Sequence, residues 1–271
     1  MRIARCRVSG REIYAAISGD ADSQIVEELS GDPFAGGPGT RTRRNAAESP
    51  GPVIDTGRSY PMAAATLLAP VARPSKIVCV ARNYAEHAAE FGNAVPTSPQ
   101  LFLKPWTAIV GPDEPIVLPS YSSHVDHEVE LAVVIGTTAK DVTPDQALDH
   151  VFGYTVGNDV SARDVQKTEP QWVRAKAFDT SCALGPWIET AVDPAALGLR
   201  CRVGGVTRQE GTTADMVFDV AHLVAYASTV FTLLPGDVIM TGTPAGVGPL
   251  TSGDTVECEI DGIGVLSNPV R

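Results

Sequence analysis

The sequence contains only five cysteines, and none of them stands in a C-x-x-C pair. They are Cys6, Cys79, Cys182, Cys201 and Cys258. Disulfide frameworks and zinc-thiolate sites use clustered and usually even-numbered cysteines, so the spacing argues against both. A reducing compartment such as the cytoplasm suits this composition best.

The sequence also lacks an excess of basic charge and lacks long apolar runs. Its 21 lysines and arginines stand against 32 aspartates and glutamates, which gives a formal net charge of −11. Nucleic acids and anionic membranes bind cationic surfaces, so neither is an expected partner. No apolar run approaches the roughly 18 to 20 residues that span a bilayer, and Met1 to Gly10 show no apolar signal-peptide segment. We therefore expect a cytoplasmic protein that acts on small molecules or contacts other proteins.

Glycine, proline, serine, threonine and arginine are concentrated between Ala35 and Gly57, which predicts a loop. We place a domain boundary near residue 70, which gives a small β-rich N-terminal domain (1–70) and a larger domain (71–271). In the first domain, residues 3–8 and 13–17 predict two strands that are joined by a turn at Ser9 and Gly10.

Helical patterns in the larger domain are short. Asn83 is expected to cap a helix from about Tyr84 to Phe91, and Gly92 to end it. A second helix is predicted to begin at Asp219, because apolar residues recur after it at three- and four-residue spacing. Gly-Asp turns at 236–237 and 253–254 precede alternating strand patterns and favour hairpins over repeating βαβ units. The predicted fold class is α+β and β-dominated.

Glu128 and Glu130 begin the strongest apolar run of the chain, residues 129–135. Alternate side chains of a strand point to one face, so both carboxylates are expected to lie together. Two partly desolvated carboxylates repel each other unless one is protonated or both share a cation. Asp159 follows a second apolar strand, and three carboxylates are typical ligands of Mg²⁺, Mn²⁺ or Ca²⁺. A solvated strand face and a turn residue are the alternative interpretations.

Other polar residues suggest catalysis on an anion. His87 and Glu90 are three residues apart on the first predicted helix, where a carboxylate can fix the tautomer of an imidazole that activates water. Lys176 lies among aromatic and small residues and would offset the acids, while Arg82 and Arg163 would add positive charge. The alternatives are an ordinary surface pair and solvent-facing basic residues.

Five ordered segments carry a family resemblance: ARNYAEHAAE (81–90), HEVELAVVIG (127–136), GNDVSARDVQ (157–166), WVRAKAFDTSCALGPWI (172–188) and PGDVIMTGTPAGVG (235–248). Together they resemble the fumarylacetoacetate hydrolase family over most of the chain. The first residues resemble the small N-terminal region that many bacterial members carry. The resemblance implies stacked sheets rolled into a barrel-like core and assembly as a homodimer.

The resemblance also implies roles for individual residues. The family's metal carboxylates fall on Glu128, Glu130 and Asp159, with Mg²⁺ or Mn²⁺ as the cofactor. Its lysine falls on Lys176, and its substrate-contacting glutamine and threonine fall on Gln166 and Thr243. The family's His/Glu pair, which completes a hydrolytic site when a lid helix closes, is matched by His87 and Glu90.

The implied function is metal-dependent chemistry on 2-oxo or 2-hydroxy-dienoic acids through an enolate. The retained His87 and Glu90 favour hydrolysis of a C–C bond in an acylpyruvate, as in fumarylacetoacetate. The first alternative is an isomerase of 5-carboxymethyl-2-hydroxymuconate or 2-hydroxyhepta-2,4-diene-1,7-dioate, as in aromatic catabolism, and the second is an oxaloacetate decarboxylase. An inactive binding module is the alternative of another class.

Overall fold

The computed structural model describes residues 1–19, 23–35 and 55–271. Its strands are β1 (Arg2–Val8), β2 (Arg11–Ser18), β3 (Ile25–Leu29), β4 (Asp55–Pro61), β5 (Ala65–Leu68), β6 (Ile77–Ala81), β7 (Gln100–Lys104), β8 (Ile109–Val110), β9 (Val125–His127), β10 (Val129–Ile135), β11 (Val151–Asp159), β12 (Ser161–Ala162), β13 (Cys182–Glu189), β14 (Gly198–Val203), β15 (Val206–Thr212), β16 (Val238–Met240), β17 (Gly248–Pro249), β18 (Thr255–Ile260) and β19 (Gly264–Pro269). Its α-helices are α1 (Ala85–Glu90), α2 (Pro144–Ala147), α3 (Arg163–Thr168), α4 (Val173–Lys176) and α5 (Val220–Val230). Most of the predicted loop from Ala35 to Gly57 lies outside the described residues.

Sheets dominate the structure, as predicted. A twelve-stranded sheet runs in the order β4-β3-β2-β1-β13-β11-β10-β16-β6-β7, with β5 added to β1 and β8 added to β13. A four-stranded sheet (β15-β14-β18-β19) and a three-stranded sheet (β12-β9-β17) complete the fold. The resemblance implied stacked sheets rolled into a barrel-like core. The described strands form several sheets but no closed barrel, because the large sheet ends at β4 and β7 and these two do not pair.

The core lies on both faces of β10, whose seven residues are all buried. Leu131 and Val133 belong to one hydrophobic cluster, and Ala132 and Val134 belong to another. This alternation is what strand geometry dictates when a sheet is covered on both sides. It fixes the register of the strand, because a slip of one residue would exchange the two sets.

The N-terminal strands extend the large sheet rather than standing apart from it. Strand β1 pairs with β13 through Arg2 opposite Glu189 and Ile3 opposite Ile188. The predicted turn between β1 and β2 is present, with positive φ at both Ser9 and Gly10, as a two-residue hairpin turn requires. A separate apolar cluster fills this part, and the domain boundary near residue 70 stays a prediction.

The two predicted helices form, but one cap differs. Helix α5 begins after Asp219, whose carboxylate accepts a hydrogen bond of 2.8 Å from His222 N. Helix α1 begins after Tyr84, and the prediction that Asn83 caps it is wrong. The Asn83 amide instead donates to the distant carbonyls of Phe218 and Thr241, so tertiary partners override the local capping preference.

No helix within the described ranges is both long enough and apolar enough to cross a membrane.

Candidate active site

The pairing of β10 with β11 brings three acids together. In this antiparallel register Glu130 lies opposite Gly157, and the Asp159 amide donates 2.9 Å to the Glu128 carbonyl. The end of β11 therefore lies beside the start of β10. Carboxylate oxygens of Glu128, Glu130 and Asp159 all lie within 4.8 Å of one another, and all three side chains are buried.

Glu128 differs in detail from the prediction. It was expected to share a strand with Glu130, but it occupies the break between β9 and β10. Its amide donates 2.9 Å to Asn158 Oδ1, which holds the backbone at this break. The carboxylate oxygens of Glu128 and Glu130 nevertheless lie within 4.8 Å of each other.

Lysine ammonium groups compensate part of this acidic charge. Lys176, at the end of α4, places Nζ 2.7 Å from Glu128 Oε2 and 2.9 Å from Asp159 Oδ2. Lys104 Nζ lies 2.7 Å from Asp159 Oδ1 as an ion pair and donates to the carbonyl of Lys176 and to Ser181. Burial opposes the charged form of Lys176, but Asp159 and Glu128 outweigh it and raise the pKa of Lys176.

Arg163 is the third buried cation, and it contacts a fourth acid. Its Nε donates 2.7 Å to Asp126 Oδ2, and one terminal nitrogen donates to Glu128. The other terminal nitrogen donates 2.9 Å to Gln166 Oε1. Burial alone would raise the pKa of Glu128, but Arg163 and Lys176 hold this pKa well below its ordinary value. Arg163 thus keeps Glu128 ionised.

Glu130 has a different environment. Its Oε2 accepts 2.8 Å from Gly242 N, and it forms no salt bridge with any residue that the structure describes. Burial, followed by repulsion from Asp159 and Glu128, raises the pKa of Glu130 well above its ordinary value. An all-oxygen donor set with one uncompensated carboxylate fits a hard divalent cation, and an ion there would remove this repulsion.

The predicted His87 and Glu90 pair forms on α1. His87 Nδ1 lies 3.1 Å from Glu90 Oε2, and its Nε2 lies 3.9 Å from Glu128 Oε1, so the second nitrogen faces the acids. Glu90 Oε1 also accepts 3.2 Å from Gly246 N in the glycine-rich loop. Burial is the largest influence on His87 and lowers its pKa, so the imidazole is neutral near pH 7.

Thr243 is held in the glycine-rich loop by a buried network. Its hydroxyl donates 2.8 Å to the Val129 carbonyl and accepts 2.7 Å from Gln209 Nε2. Gln209 Oε1 in turn accepts from Val129 N and lies 3.0 Å from His127 Nδ1. The network fixes the position of the loop against the start of β10.

A cavity of about 260 Å³ joins these groups. Nine of the ten predicted site residues line it: Arg82, His87, Glu128, Glu130, Asp159, Arg163, Gln166, Lys176 and Thr243. Glu90 reaches the site through its contact with His87. Phe102 and Trp172 add apolar wall, with their ring centroids 5.8 Å apart. The cavity can therefore hold a small anionic molecule that has an apolar part.

Sequence reasoning missed four polar residues of this region: Lys104, Asp126, Asn83 as a tertiary anchor, and Gln209. Each is a single polar residue within or beside a short strand or a turn, and its partners lie far along the chain. Local spacing contains no signal for such partners. Lys104 offered one hint, because strand alternation places it on the same face as the cavity residue Phe102.

A family model described as fumarylacetoacetate (FAA) hydrolase C-terminal matches residues 76–271. A solved structure named 5-carboxymethyl-2-hydroxymuconate delta-isomerase, from Mycobacterium smegmatis, is 46% identical, covers 100% of this chain and 99% of its own, and gives a TM-score of 0.88. A solved 2-hydroxyhepta-2,4-diene-1,7-dioate isomerase from Mycobacterium marinum is 48% identical, covers 100% and 98%, and gives a TM-score of 0.87. The human mitochondrial oxaloacetate tautomerase FAHD2A is 47% identical over 78% of this chain and 71% of its own.

Proposed function

Since the chain belongs to the fumarylacetoacetate hydrolase family, we propose that it is a divalent-metal enzyme that moves a proton at the carbon beside the carbonyl of a 2-oxo acid. Glu128, Glu130 and Asp159 are the proposed ligands, and Mg²⁺ or Mn²⁺ suits three carboxylates better than a soft metal does. When bound, the cation supplies Lewis-acid polarisation of a carbonyl oxygen.

The observation that carries the proposal is the orientation of His87. Glu90 contacts Nδ1 and favours the tautomer with the proton there, which leaves Nε2 free to accept a proton on the side of the acids. His87 Nε2 takes a proton from the substrate carbon, and the electron pair of the broken C–H bond moves towards the carbonyl oxygen. The proton then returns to the oxygen in a tautomerisation or to another carbon of a dienoate in an isomerisation.

Lys176 would stabilise the negative charge that develops on the oxygen. Glu128 and Asp159 use two of its three N–H donors, so one can be donated to the substrate. A buried cation acts strongly on such charge, because little water screens it. The names of the relatives, two isomerases and a tautomerase, support proton transfer as the reaction.

Hydrolysis of a C–C bond in an acylpyruvate is the second candidate, and the His87–Glu90 pair supports it as well. His87 would take a proton from water, the water oxygen would attack the carbonyl carbon, and the electron pair of the broken C–C bond would form an enolate that is then protonated. This route needs a positioned water in addition to the groups that proton transfer uses.

The test is a side-by-side measurement of kcat/KM for the Mg²⁺-loaded protein on three substrates: oxaloacetate (keto–enol exchange and decarboxylation), acetylpyruvate (hydrolysis) and a 2-hydroxymuconate (isomerisation). We expect proton transfer to give the largest value.

In His87→Gln, kcat should fall by about 10²- to 10⁴-fold while Mg²⁺ binding, measured by calorimetry, is retained. Full activity of His87→Gln, or full activity of wild type without a divalent metal, contradicts the proposal.

Glu90→Gln tests the pairing through the pH profile. The His87 base works only when neutral, so activity is lost as the pH falls through the pKa of His87. The carboxylate of Glu90 raises that pKa against the larger effect of burial, and its removal lowers the pKa. The acidic limb of kcat/KM should therefore move to lower pH in Glu90→Gln, while kcat falls. If the acidic limb did not move, Glu90 would not influence the pKa of the catalytic base.

A further inference from the structure

Phe91 is the residue directly after α1, and its side chain lines the cavity. Its ring meets the imidazole of His87 edge-on, with the ring centroids 5.2 Å apart and the planes at 73°. The guanidinium carbon of Arg163 lies over the same ring, 4.9 Å from its centroid. One aromatic side chain therefore contacts both the proposed base and the cation that keeps Glu128 ionised.

The backbone around Phe91 is fixed by the end of the helix. Gly92 has a φ of 66°, in the left-handed region that glycine adopts without a steric penalty. Its amide donates 2.9 Å to the Ala89 carbonyl, and the amide of Asn93 donates 2.9 Å to the Ala88 carbonyl. These two bonds form the Schellman motif that ends many helices. The position of the Phe91 ring thus follows from a local sequence signal.

The two contacts of the ring connect α1 with α3. A guanidinium over an aromatic face is attracted by the ring, and edge-on pairs of aromatic rings are also favourable. Arg163, the first residue of α3, is bonded to Asp126 and Glu128 as well, so two acids and one ring hold it. Phe91 therefore positions the helix that carries His87 against a cation of the acid cluster.

The exposure of the two rings differs. His87 is only 8% exposed, whereas Phe91, which contacts it, is 39% exposed. The Phe91 ring therefore lies between the imidazole and solvent on this side of the cavity. Both candidate reactions use His87 as the base, and they differ in whether the proton comes from a substrate carbon or from water. Exclusion of water from a site prevents such side reactions.

From these contacts we propose that Phe91 is a positioning residue that determines the outcome of the reaction. It keeps water from His87, so that the imidazole takes a proton from the substrate carbon and hydrolysis is suppressed. Without the ring, water reaches Nε2 and gives up a proton there, and its oxygen bonds to the carbonyl carbon. The electron pair of the broken C–C bond then forms an enolate that is protonated. The inference rests on the proposed function, since His87 must be the base.

The first test measures a ratio of two reactions in the Mg²⁺-loaded protein. Acetylpyruvate and oxaloacetate both undergo keto–enol exchange, and hydrolysis of either one releases acetate. Phe91→Ala should raise the ratio of acetate release to keto–enol exchange by about tenfold or more over the wild type. Phe91→Tyr keeps the ring and should keep the wild-type ratio. A merely structural role would lower both rates together and leave the ratio unchanged.

The second test measures access to His87 without turnover. Diethyl pyrocarbonate modifies neutral imidazoles that it can reach, and mass spectrometry of peptides identifies the modified histidine. Phe91→Ala should speed the modification of His87 by about tenfold, because the covering ring is gone, whereas Phe91→Tyr should not. His124, whose side chain is 47% exposed, is the internal reference and should react equally in all variants.

Trp106→Ala is the matched control. Trp106 is 45% exposed and also has a guanidinium over its ring, that of Arg73 at 4.8 Å, but it lies outside the cavity. Its loss should change neither the ratio nor the reactivity of His87. Phe91→Ala should fold normally, because the site is partly exposed and its φ of −101° suits any residue.

Each outcome decides the inference. If Phe91→Ala keeps the wild-type ratio, whether or not His87 becomes more reactive, Phe91 does not determine the outcome and the inference alone fails. A rise in the ratio that also occurs in Trp106→Ala would overturn it in the same way. If the wild type catalyses neither reaction of either substrate, the proposed function fails and the inference fails with it.

Discussion

The ammonium of Lys104 is completely enclosed, and it links two groups of the site. Its neighbours are Asp159 Oδ1, the carbonyl of Lys176 and both oxygens of Ser181. It thereby holds both the side chain of Asp159, a proposed metal ligand, and the backbone of Lys176, which is proposed to stabilise the developing negative charge. A charge buried this deeply persists only with several such partners, because its desolvation is costly.

Lys104→Met should therefore destabilise the protein strongly, since it leaves the buried Asp159 Oδ1 without its cationic partner. We expect the free energy of unfolding to fall by about 3–5 kcal/mol, measured by urea denaturation in the presence of a chelator.

The matched control is Lys140→Met. Lys140 is 44% exposed and pairs with an exposed aspartate, so its loss should cost less than about 1 kcal/mol. If both variants lost the same free energy of unfolding, the burial of Lys104 would contribute nothing to stability.

At this scale the sequence predicts functional groups better than their partners. Spacing, together with the family resemblance, predicted Glu128, Glu130, Asp159 and His87 as site residues, and the structure brings their side chains to one cavity. It could not identify Lys104, because a single lysine in the segment LFLKP has the appearance of a strand-edge residue, and its partners lie more than 50 positions away.

Helix α1 is only six residues long, too short to be stable without tertiary contacts. Asn83 supplies several of them: its amide donates to Phe218 and Thr241, and its Oδ1 accepts 2.8 Å from Phe218 N. Its main-chain carbonyl also accepts from Val217 N. The helix that carries His87 is thus attached through the residue just before it to the segments around residues 218 and 241.

Asn83→Ala should remove the side-chain hydrogen bonds that attach α1 to these segments. Two carbonyls and one amide lose partners in a buried place, so the free energy of unfolding should fall by about 3 kcal/mol. kcat/KM should fall further than stability explains, because His87 would be less well positioned. Chemical denaturation and steady-state kinetics measure the two effects.

Glu86→Ala, on the exposed part of the same helix, serves as the control and should change neither quantity appreciably. Unchanged kinetics in folded Asn83→Ala would show that α1 is positioned by other contacts.

Elements with a complete local signal were predictable, and those that depend on distant contacts were not. Helix α5 has an aspartate cap and a long apolar period, and it begins where predicted. Asn83 looked like a cap because asparagine is common at that position, yet its side chain bonds to residues about 135 and 158 positions away. Glu128 looked like a strand residue because no local signal indicates the break before Val129.

For the molecule as a whole, a cation at the acid cluster would act as a stabilising ligand. A cation that binds the folded chain but not the unfolded chain adds about 2.7 kcal/mol to the free energy of unfolding when the free ion is at a hundred times its dissociation constant. Chelation should therefore lower the thermal midpoint by about 5 °C, as calorimetry can measure.

Glu130→Gln should abolish the rise in thermal midpoint that Mg²⁺ causes. It should not lower the thermal midpoint that is measured in the presence of a chelator. Glutamine can still accept from Gly242 N, and it removes a carboxylate that the other two repel. Glu86→Gln is the exposed control and should respond to Mg²⁺ as the wild type does. A Glu130→Gln protein that is still stabilised by Mg²⁺ would place the ion elsewhere.

The sequence predicted a β-dominated α+β fold because alternation and turn chemistry are local. The strand order of the large sheet was out of reach, because β1 pairs with β13 and β6 with β16 across most of the chain. The barrel-like core came from resemblance alone, and the described strands form several sheets without a closed barrel. The homodimer stays a prediction.

The parallel pairing of β6 with β16 determines when the site can exist during synthesis of the chain. Ile77 pairs with Val238, and the amide that donates to Glu130 belongs to Gly242. The three acidic residues of the site are therefore synthesised long before the residues that hold them in place. A ribosome-bound chain ending before β16 carries all three carboxylates with β10 unpaired on that side. Long-range strand pairing is slow, and exposed strand edges during that interval favour aggregation. Cellular yield should therefore be most sensitive to changes that delay β16, even when the finished enzyme tolerates them.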